Sequence, residues 1–263
     1  LAMREIEVFN AGVVSYSPAI YYRKLKHLIE SVGFGFDEAV VFLDISDIED
    51  EADGLMLDAA ENVVQRGDGA LDRSQKRFGA RARSFLKESS LAYRLASELN
   101  RARKRLLTHP DDCLAAVRED GRGVRTLGLD FLRRRLAKRR SRWTYDEAVF
   151  EAWGRRGLAA AAANMDRLAR LLGKHGITLT LVVYPWPAQI FAAEREGRQT
   201  TFWRAWAAAK KVPFLDLFPA FIDGTEPLEI YARYHVACDN HWSAAGHAFV
   251  AERFLAFYRT GQH

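Results

Sequence analysis

Long apolar runs are missing from this sequence. No stretch approaches the roughly 18 to 20 uninterrupted apolar residues that a membrane-spanning helix needs, and the opening "LAMREIEVFN" lacks the layout of a signal peptide. The expectation is a soluble mature segment, with a signal or anchor ahead of Leu1 left open. Cysteine is scarce too. Cys113 and Cys238 stand far apart, in neither a zinc-ligand nor a redox spacing, and so leave the compartment undetermined. Global disorder is excluded by composition: 49% of residues are hydrophobic and 28% charged, the balance of an ordinary globular chain. The length of 263 residues suits one domain, 1–263, with room for a sizeable insertion.

The net charge of +5 is gathered in one place. Between Arg101 and Arg142 fourteen Lys and Arg stand against five Asp and Glu, so the rest of the chain is mildly acidic. Such a patch can meet an anionic polysaccharide, lipid headgroups or nucleic acid. Neither interleaved aromatics nor a nucleic-acid motif accompanies it, so nucleic acid is not expected. A solvated helical face is the plainer account, and an anionic partner at this region the functional one.

Periodicity gives a coarse map. "EIEVFNAG" reads as a buried strand ending in a turn. A helix follows, with Ser17 as N-cap, Pro18 at its first position and Ile20, Tyr21, Leu25, Leu28 and Ile29 at helical spacing until Gly33. "AVVFLDI" has the continuous apolar character of a strand covered on both faces. From about Asp53 to Trp143 apolar strands stop and charged helical stretches take over, which predicts a basic helical insertion at about 60–143. A long helix is expected from about Tyr145 to Lys174, then the strongest strand, "ITLTLVVYP", in a central position. "PAQIFAAERE" and "TFWRAWAAAKK" read as helices, "VPFLDLFPAF" holds a short strand, and "SAAGHAFVAERFLAFYR" is the terminal helix. The alternation predicts an α/β fold, a three-layer, doubly wound, flavodoxin-like parallel sheet with a helical insertion.

In such sheets ligands bind beyond the carboxyl ends of the strands. That rule selects Asn10–Ser15, Asp44–Asp50, Pro185–Gln189 and the loop with Asp239 and His241. A histidine there acts as a general base when a carboxylate fixes its tautomer, and Asp239 stands two residues away. Ser243 is a natural N-cap for the helix that follows. Tyr184, Trp186, Trp203, Trp206 and Trp242 could line a sugar-binding cleft; Trp203 and Trp206 on their helix read more simply as core, and Trp186 and Trp242, on loops at strand ends, are the better candidates for substrate contact.

Three blocks together, "FNAGVVSYSP", "VVFLDISDIED" and "DNHWSAAGH", resemble the second, third and C-terminal blocks of the SGNH/GDSL hydrolase superfamily in order and placement. "ITLTLVVYPWPAQI" and the Asp-x-His-Trp form further resemble a bacterial branch related to alginate O-acetyltransferase-like proteins. The resemblance implies Asp239 as orienting acid, His241 as general base and the Gly12 backbone N–H as an oxyanion donor. It implies a serine esterase or O-acyltransferase acting on an acylated small molecule or polysaccharide, without a cofactor. Ser46 stands where many relatives carry an oxyanion-binding asparagine, in Asp44-Ile45-Ser46-Asp47, and would offer a shorter hydroxyl donor in its place. The Gly-Asp-Ser nucleophile block occurs nowhere in the sequence. The expectation is that this block precedes the chain, that the chain alone has little esterase activity, and that its first strand leaves an apolar edge.

Alternatives stay open at this level. Ser15, Ser17, Ser46 and Ser243 all follow strands or His241, but Ser17 and Ser243 are explained as caps, and Ser15 sits where relatives often carry glycine. His235, His241 and His247 recur at six-residue spacing, a pattern no familiar zinc site uses, and no metal is expected. The acidic run Asp44, Asp47, Glu49, Asp50 and Glu51 reads as a solvated helix start rather than a calcium loop, whose alternating ligands and turn glycine it lacks, with a structural role for the pair Asp44 and Asp47 as the alternative. A non-catalytic carbohydrate-binding or assembly protein that keeps this fold is the rival function. Arginine and alanine abundance suggests a GC-rich bacterial source, periplasmic or membrane-associated settings being compatible with it.

Overall fold

The computed structural model describes residues 6–13, 15–65, 132–134 and 136–260. Its organising element is β4 (Thr178–Val183), every residue of which after Thr178 is buried. Three β-branched residues and two leucines in "TLTLVV" past its first position suit a strand covered on both faces. It pairs in parallel with β1 (Glu38–Leu43), from Glu38 opposite Thr178 to Leu43 opposite Val183. On its other side it pairs in parallel with β5 (Phe214–Asp216), giving the order β1-β4-β5. The chain is thus a mixed α/β fold around a three-stranded parallel sheet, with β4 central as its sequence predicts.

The helices follow the expected order. α1 (Pro18–Lys26) carries Pro18 in its first turn and continues through a π-helical turn, His27–Val32, to Gly33 in the left-handed conformation at φ 70°. After α2 (Asp47–Glu49) and α3 (Arg139–Arg142), the expected long helix is α4 (Glu147–Val149) and α5 (Arg155–Lys174), joined by a π-turn at Phe150–Gly154. Asp146 caps its start by accepting from Val149 N. Gly157 lets α5 approach closely, since a Cβ there would lie 2.2 Å from the Ile48 carbonyl oxygen. Beyond β4 come α6 (Pro187–Phe191), shorter than "PAQIFAAERE" suggested, and α7 (Arg198–Lys210). α8 (Phe218–Phe221), α9 (Pro227–Tyr234) and α10 (Ala244–Arg259) complete the described chain. α9 has no counterpart in the sequence reading.

Four expectations are corrected. Residues 6–13 form no strand: Val8 is 83% exposed, Phe9 meets Phe34 edge-on, and Lys24 Nζ donates to the Ala11 carbonyl. An apolar segment becomes a strand only beside a ladder partner, and here β1 pairs with β4 alone. β1 itself alternates between buried and accessible positions, leaving Val40 and Phe42 about a third exposed, so it is covered mainly on one face. Strand structure also does not stop at Asp53. β2 (Leu55–Leu57) and β3 (Val63–Gln65) form an antiparallel pair, closed by Asp58 Oδ1 accepting from Ala60 N and Asn62 N. Most of the expected basic insertion, 66–131 and 135, lies outside the described residues.

The fourth correction concerns the acidic run, which is not a solvated helix start. Asp47 and Glu51 are buried. Glu51 Oε1 accepts from Ser17 Oγ at 2.8 Å and from Ala19 N at 2.7 Å, while Oε2 accepts from Asn164 at 2.7 Å. Ser17 therefore occupies the N-cap position but turns its hydroxyl to Glu51, whose carboxylate satisfies the first-turn N–H instead. Glu49, Asp50 and Asp53 pair with Arg139, Arg140 and Arg156. Arg139, Arg140 and Arg142, at the described end of the basic region, are thus paired with the chain's own carboxylates.

Candidate active site

The loop after α9 is a tight reversal. Val236 N donates to the His241 carbonyl at 3.0 Å, Ser243 N to the Tyr234 carbonyl at 2.8 Å, and His235 bridges Trp242 in antiparallel fashion. Tyr231 secures the bend by donating its hydroxyl to the Val236 carbonyl and accepting from Asp239 N. Cys238, at φ 58°, is in the left-handed region and is disulfide-bonded. Ser243 caps α10 by accepting from Gly246 N, as its position predicts. Gly246 is required there, because a Cβ would lie 2.1 Å from the Tyr234 carbonyl oxygen. Half of "CDNHWSAAGH" is therefore a device for folding the loop back onto α9.

The other half is chemical. Asp239 Oδ1 lies 2.5 Å from His241 Nδ1 and also accepts from His241 N at 3.0 Å. Partial burial works to raise the Asp239 pKa, but these hydrogen bonds and the His241 charge outweigh it, holding the carboxyl below its ordinary range. The aspartate is thus an anion that accepts from Nδ1, which leaves Nε2 as the basic nitrogen. The His241 side chain is 87% exposed, and Nε2 has no hydrogen-bond partner among the described residues. Such a dyad can take a proton from a hydroxyl delivered to its open face.

A second cluster sits at the ends of β1 and β4. Asp44 Oδ2 accepts from Tyr184 Oη at 2.5 Å and from Trp186 Nε1 at 2.9 Å, and Oδ1 accepts from Ser46 N at 2.7 Å. Asp47 Oδ2 accepts from Asp44 N and from Tyr21 Oη. Burial, then the neighbouring Asp44 charge, pushes the Asp47 carboxyl well up, and burial with Asp47 does the same to the Tyr21 phenol. The two clusters meet through aromatics: the Tyr184 ring lies 4.6 Å from Trp242, next in sequence to His241.

Three of the four expected loop groups are accordingly linked, Asp44–Asp50 to Pro185–Gln189 through Asp44, and these to the histidine loop through Tyr184 and Trp242. The first group stands apart. Gly12 N donates to Asn10 Oδ1 at 2.9 Å in an exposed segment, and among the described residues no hydrogen bond or ring contact joins that segment to Asp239 or His241. Ser46 lies at the start of α2, its hydroxyl without a partner among the described residues. Ser15 has φ 63°, the glycine-like conformation its position suggested. Trp186 and Trp242 are half-buried, while Trp203 and Trp206 belong to the core.

The histidines do not converge. His235 is buried against Tyr231 and Phe221, and His247 meets the Trp242 ring edge-on. Among the described residues no group of three or more His, Cys, Asp or Glu could hold a metal ion. Sequence reasoning offered Tyr184 only as an aromatic that could line a cleft and missed Tyr231; both position the site. Tyr184 was visible as the residue ending the strongest strand; Tyr231 lies on the helix that periodicity did not reveal. No protein-family model, curated protein or solved structure matches this chain.

Proposed function

We propose that the chain is an SGNH-hydrolase-like domain of the three-layer, doubly wound kind, working as an esterase or O-acyltransferase on acyl esters, with acylated carbohydrate as substrate class. The supporting observation is the Asp239–His241 pair, 2.5 Å apart with the outer imidazole edge open, on a loop joined to the carboxyl ends of β1 and β4. In this reading His241 Nε2 takes the proton of an attacking hydroxyl and returns it to the leaving alcohol, while Asp239 stabilises the imidazolium. Trp186 and Trp242 offer apolar faces to the sugar. Gly12 serves as oxyanion donor only if the N-terminal segment closes on the loop, since its N–H already has an internal partner, whereas Ser46 offers a hydroxyl at the end of β1 that no described residue engages.

A second reading rests on the serines. Ser17 and Ser243 are committed to structural hydrogen bonds, and no serine among the described residues is bonded to His241. The same cleft then serves a non-catalytic carbohydrate-binding protein, with an anionic partner at the basic region.

The deciding experiment is intact-mass analysis after exposure to a fluorophosphonate, with His241→Ala as control and release of acetate from an acetylated glycan measured in parallel. A His241-dependent adduct with acetate release sustains the enzyme. No adduct and no release means that the chain itself holds no working nucleophile, and glycan binding that depends on Trp186 and Trp242 then supports the binding protein. Turnover unchanged by His241→Ala removes the dyad from either account.

A further inference from the structure

A groove of about 320 Å³ opens between α1 and α5, on residues that take no part in the site described above. One wall is neutralised internally. Lys26 Nζ lies 3.3 Å from Glu30 and 3.1 Å from Glu61, and Glu61 also accepts from Tyr22 Oη at 2.7 Å. Glu61 is held there by the β2–β3 turn, where its backbone takes a φ of 60°. These bonds, with the charges of Lys26 and Arg167, keep the Glu61 carboxyl below its usual range, so it stays an anion.

The opposite wall is cationic and largely unspent. Arg167, Arg170 and Lys174 face the groove from α5. At about 1.5 Å rise per residue they fall within roughly 10 Å along the helix axis. Arg167 gives one hydrogen bond, to Asn164 Oδ1 at 3.3 Å. Arg170 and Lys174 make no hydrogen bond or ion pair among the described residues; Arg170 only lends its charge to Asp166, which Lys210 and Trp206 already hold. Four cations against two carboxylates leave the groove doubly positive. Between the walls, Leu171 and the Tyr22 ring supply an apolar floor.

We propose that this groove binds the phosphate group of a small phosphomonoester. Two guanidinium forks and an ammonium group on adjacent helical turns match a tetrahedral dianion, which accepts bidentate hydrogen bonds from arginine. The excess charge of the walls equals that of the dianion, and the groove volume is at the small end of ligand sites. The organic part of the ester lies on Tyr22 and Leu171. The site is independent of the acyl-transfer reading.

The test is calorimetric titration of the full chain at low ionic strength with glycerol 3-phosphate, inorganic phosphate and sulfate, in chloride and in acetate buffers. Saturable one-to-one binding is expected, weakened about tenfold or more by Arg170→Ala and by Lys174→Ala, and unchanged by His241→Ala. Because the second pKa of a phosphomonoester is near 6, glycerol 3-phosphate should bind more tightly at pH 7.5 than at pH 5, while sulfate should not change in parallel. Tighter binding of the ester than of inorganic phosphate supports the apolar floor. Absence of saturable binding below about 10 mM, or equal displacement by chloride, means an adventitious ion only and overturns the proposal. Indifference to both substitutions overturns it as well.

Discussion

Tyr184 reaches in two directions at once: its hydroxyl donates to Asp44 at 2.5 Å, and its ring lies 4.6 Å from Trp242. The phenol is buried, and burial first, then the Asp44 charge, raises its pKa well above the ordinary value. It therefore remains a donor at every working pH and ties the end of β1 to the histidine loop.

Removing that hydroxyl tests the connection. Tyr184→Phe leaves Asp44 with Trp186 Nε1 and Ser46 N as its remaining donors. A loss of about 1–2 kcal/mol is expected in urea unfolding, together with altered near-ultraviolet dichroism from Trp186 and Trp242. A stability change within about 0.5 kcal/mol of the parent would show that the tyrosine packs without bridging.

Much of the frame was legible because local signals and tertiary environment agree there. β4 is strongly β-branched and is buried on both faces, and Pro18, Gly33 and Ser243 mark helix ends where expected. The failures share a cause. Residues 6–9 have the pattern of a strand but no ladder partner among the described residues, and pattern carries no information about pairing. Glu51 looked like one more surface acid, yet its burial depends on Ser17 and Asn164, distant in sequence. The Asp239–His241 pair was legible because both members sit on one short loop, whereas Tyr184's link to Asp44 spans 140 residues.

Two glycines of α5 should respond oppositely to alanine. Gly173 has open space around its Cβ position, so Gly173→Ala should stabilise by about 0.5–1 kcal/mol through helix propensity and a less flexible unfolded chain. A Cβ added at Gly157 would lie 2.2 Å from the Ile48 carbonyl oxygen, so Gly157→Ala should destabilise by about 1–3 kcal/mol or more. Thermal unfolding of the two variants measures the contrast. Stabilisation by both would mean that α5 does not lie against Ile48.

Oxidation state should matter for the site loop. Cys238 is disulfide-bonded, stands next to Asp239, and packs with Ala237 against Leu132, Leu136, Phe191 and Tyr231. Reduction, or Cys238→Ser, should lower stability by about 2–4 kcal/mol. Thermal unfolding with and without dithiothreitol checks this. The serine variant must lose its sensitivity to the reductant; identical unfolding of the parent in both buffers would contradict a structural bond.

Acid should weaken the fold through His235. This residue is 5% exposed, both ring nitrogens lack partners among the described residues, and burial lowers its pKa from 6.5 to about 4. The unfolded chain then takes up a proton at a higher pH than the native one. Stability is fully present above about 6.5 and is lost as pH falls toward about 4, by about 3 kcal/mol at most for a shift of this size. Asp47 opposes this, because burial raises its carboxyl pKa and favours the native state as pH falls toward the unfolded value of 3.8. A comparison with His235→Phe separates them, since the phenyl ring suits the stack with Tyr231 and does not titrate. Urea unfolding at pH 7 and pH 4.5 should show a smaller acid loss in the variant. An equal loss in both proteins would place the acid sensitivity elsewhere in the chain.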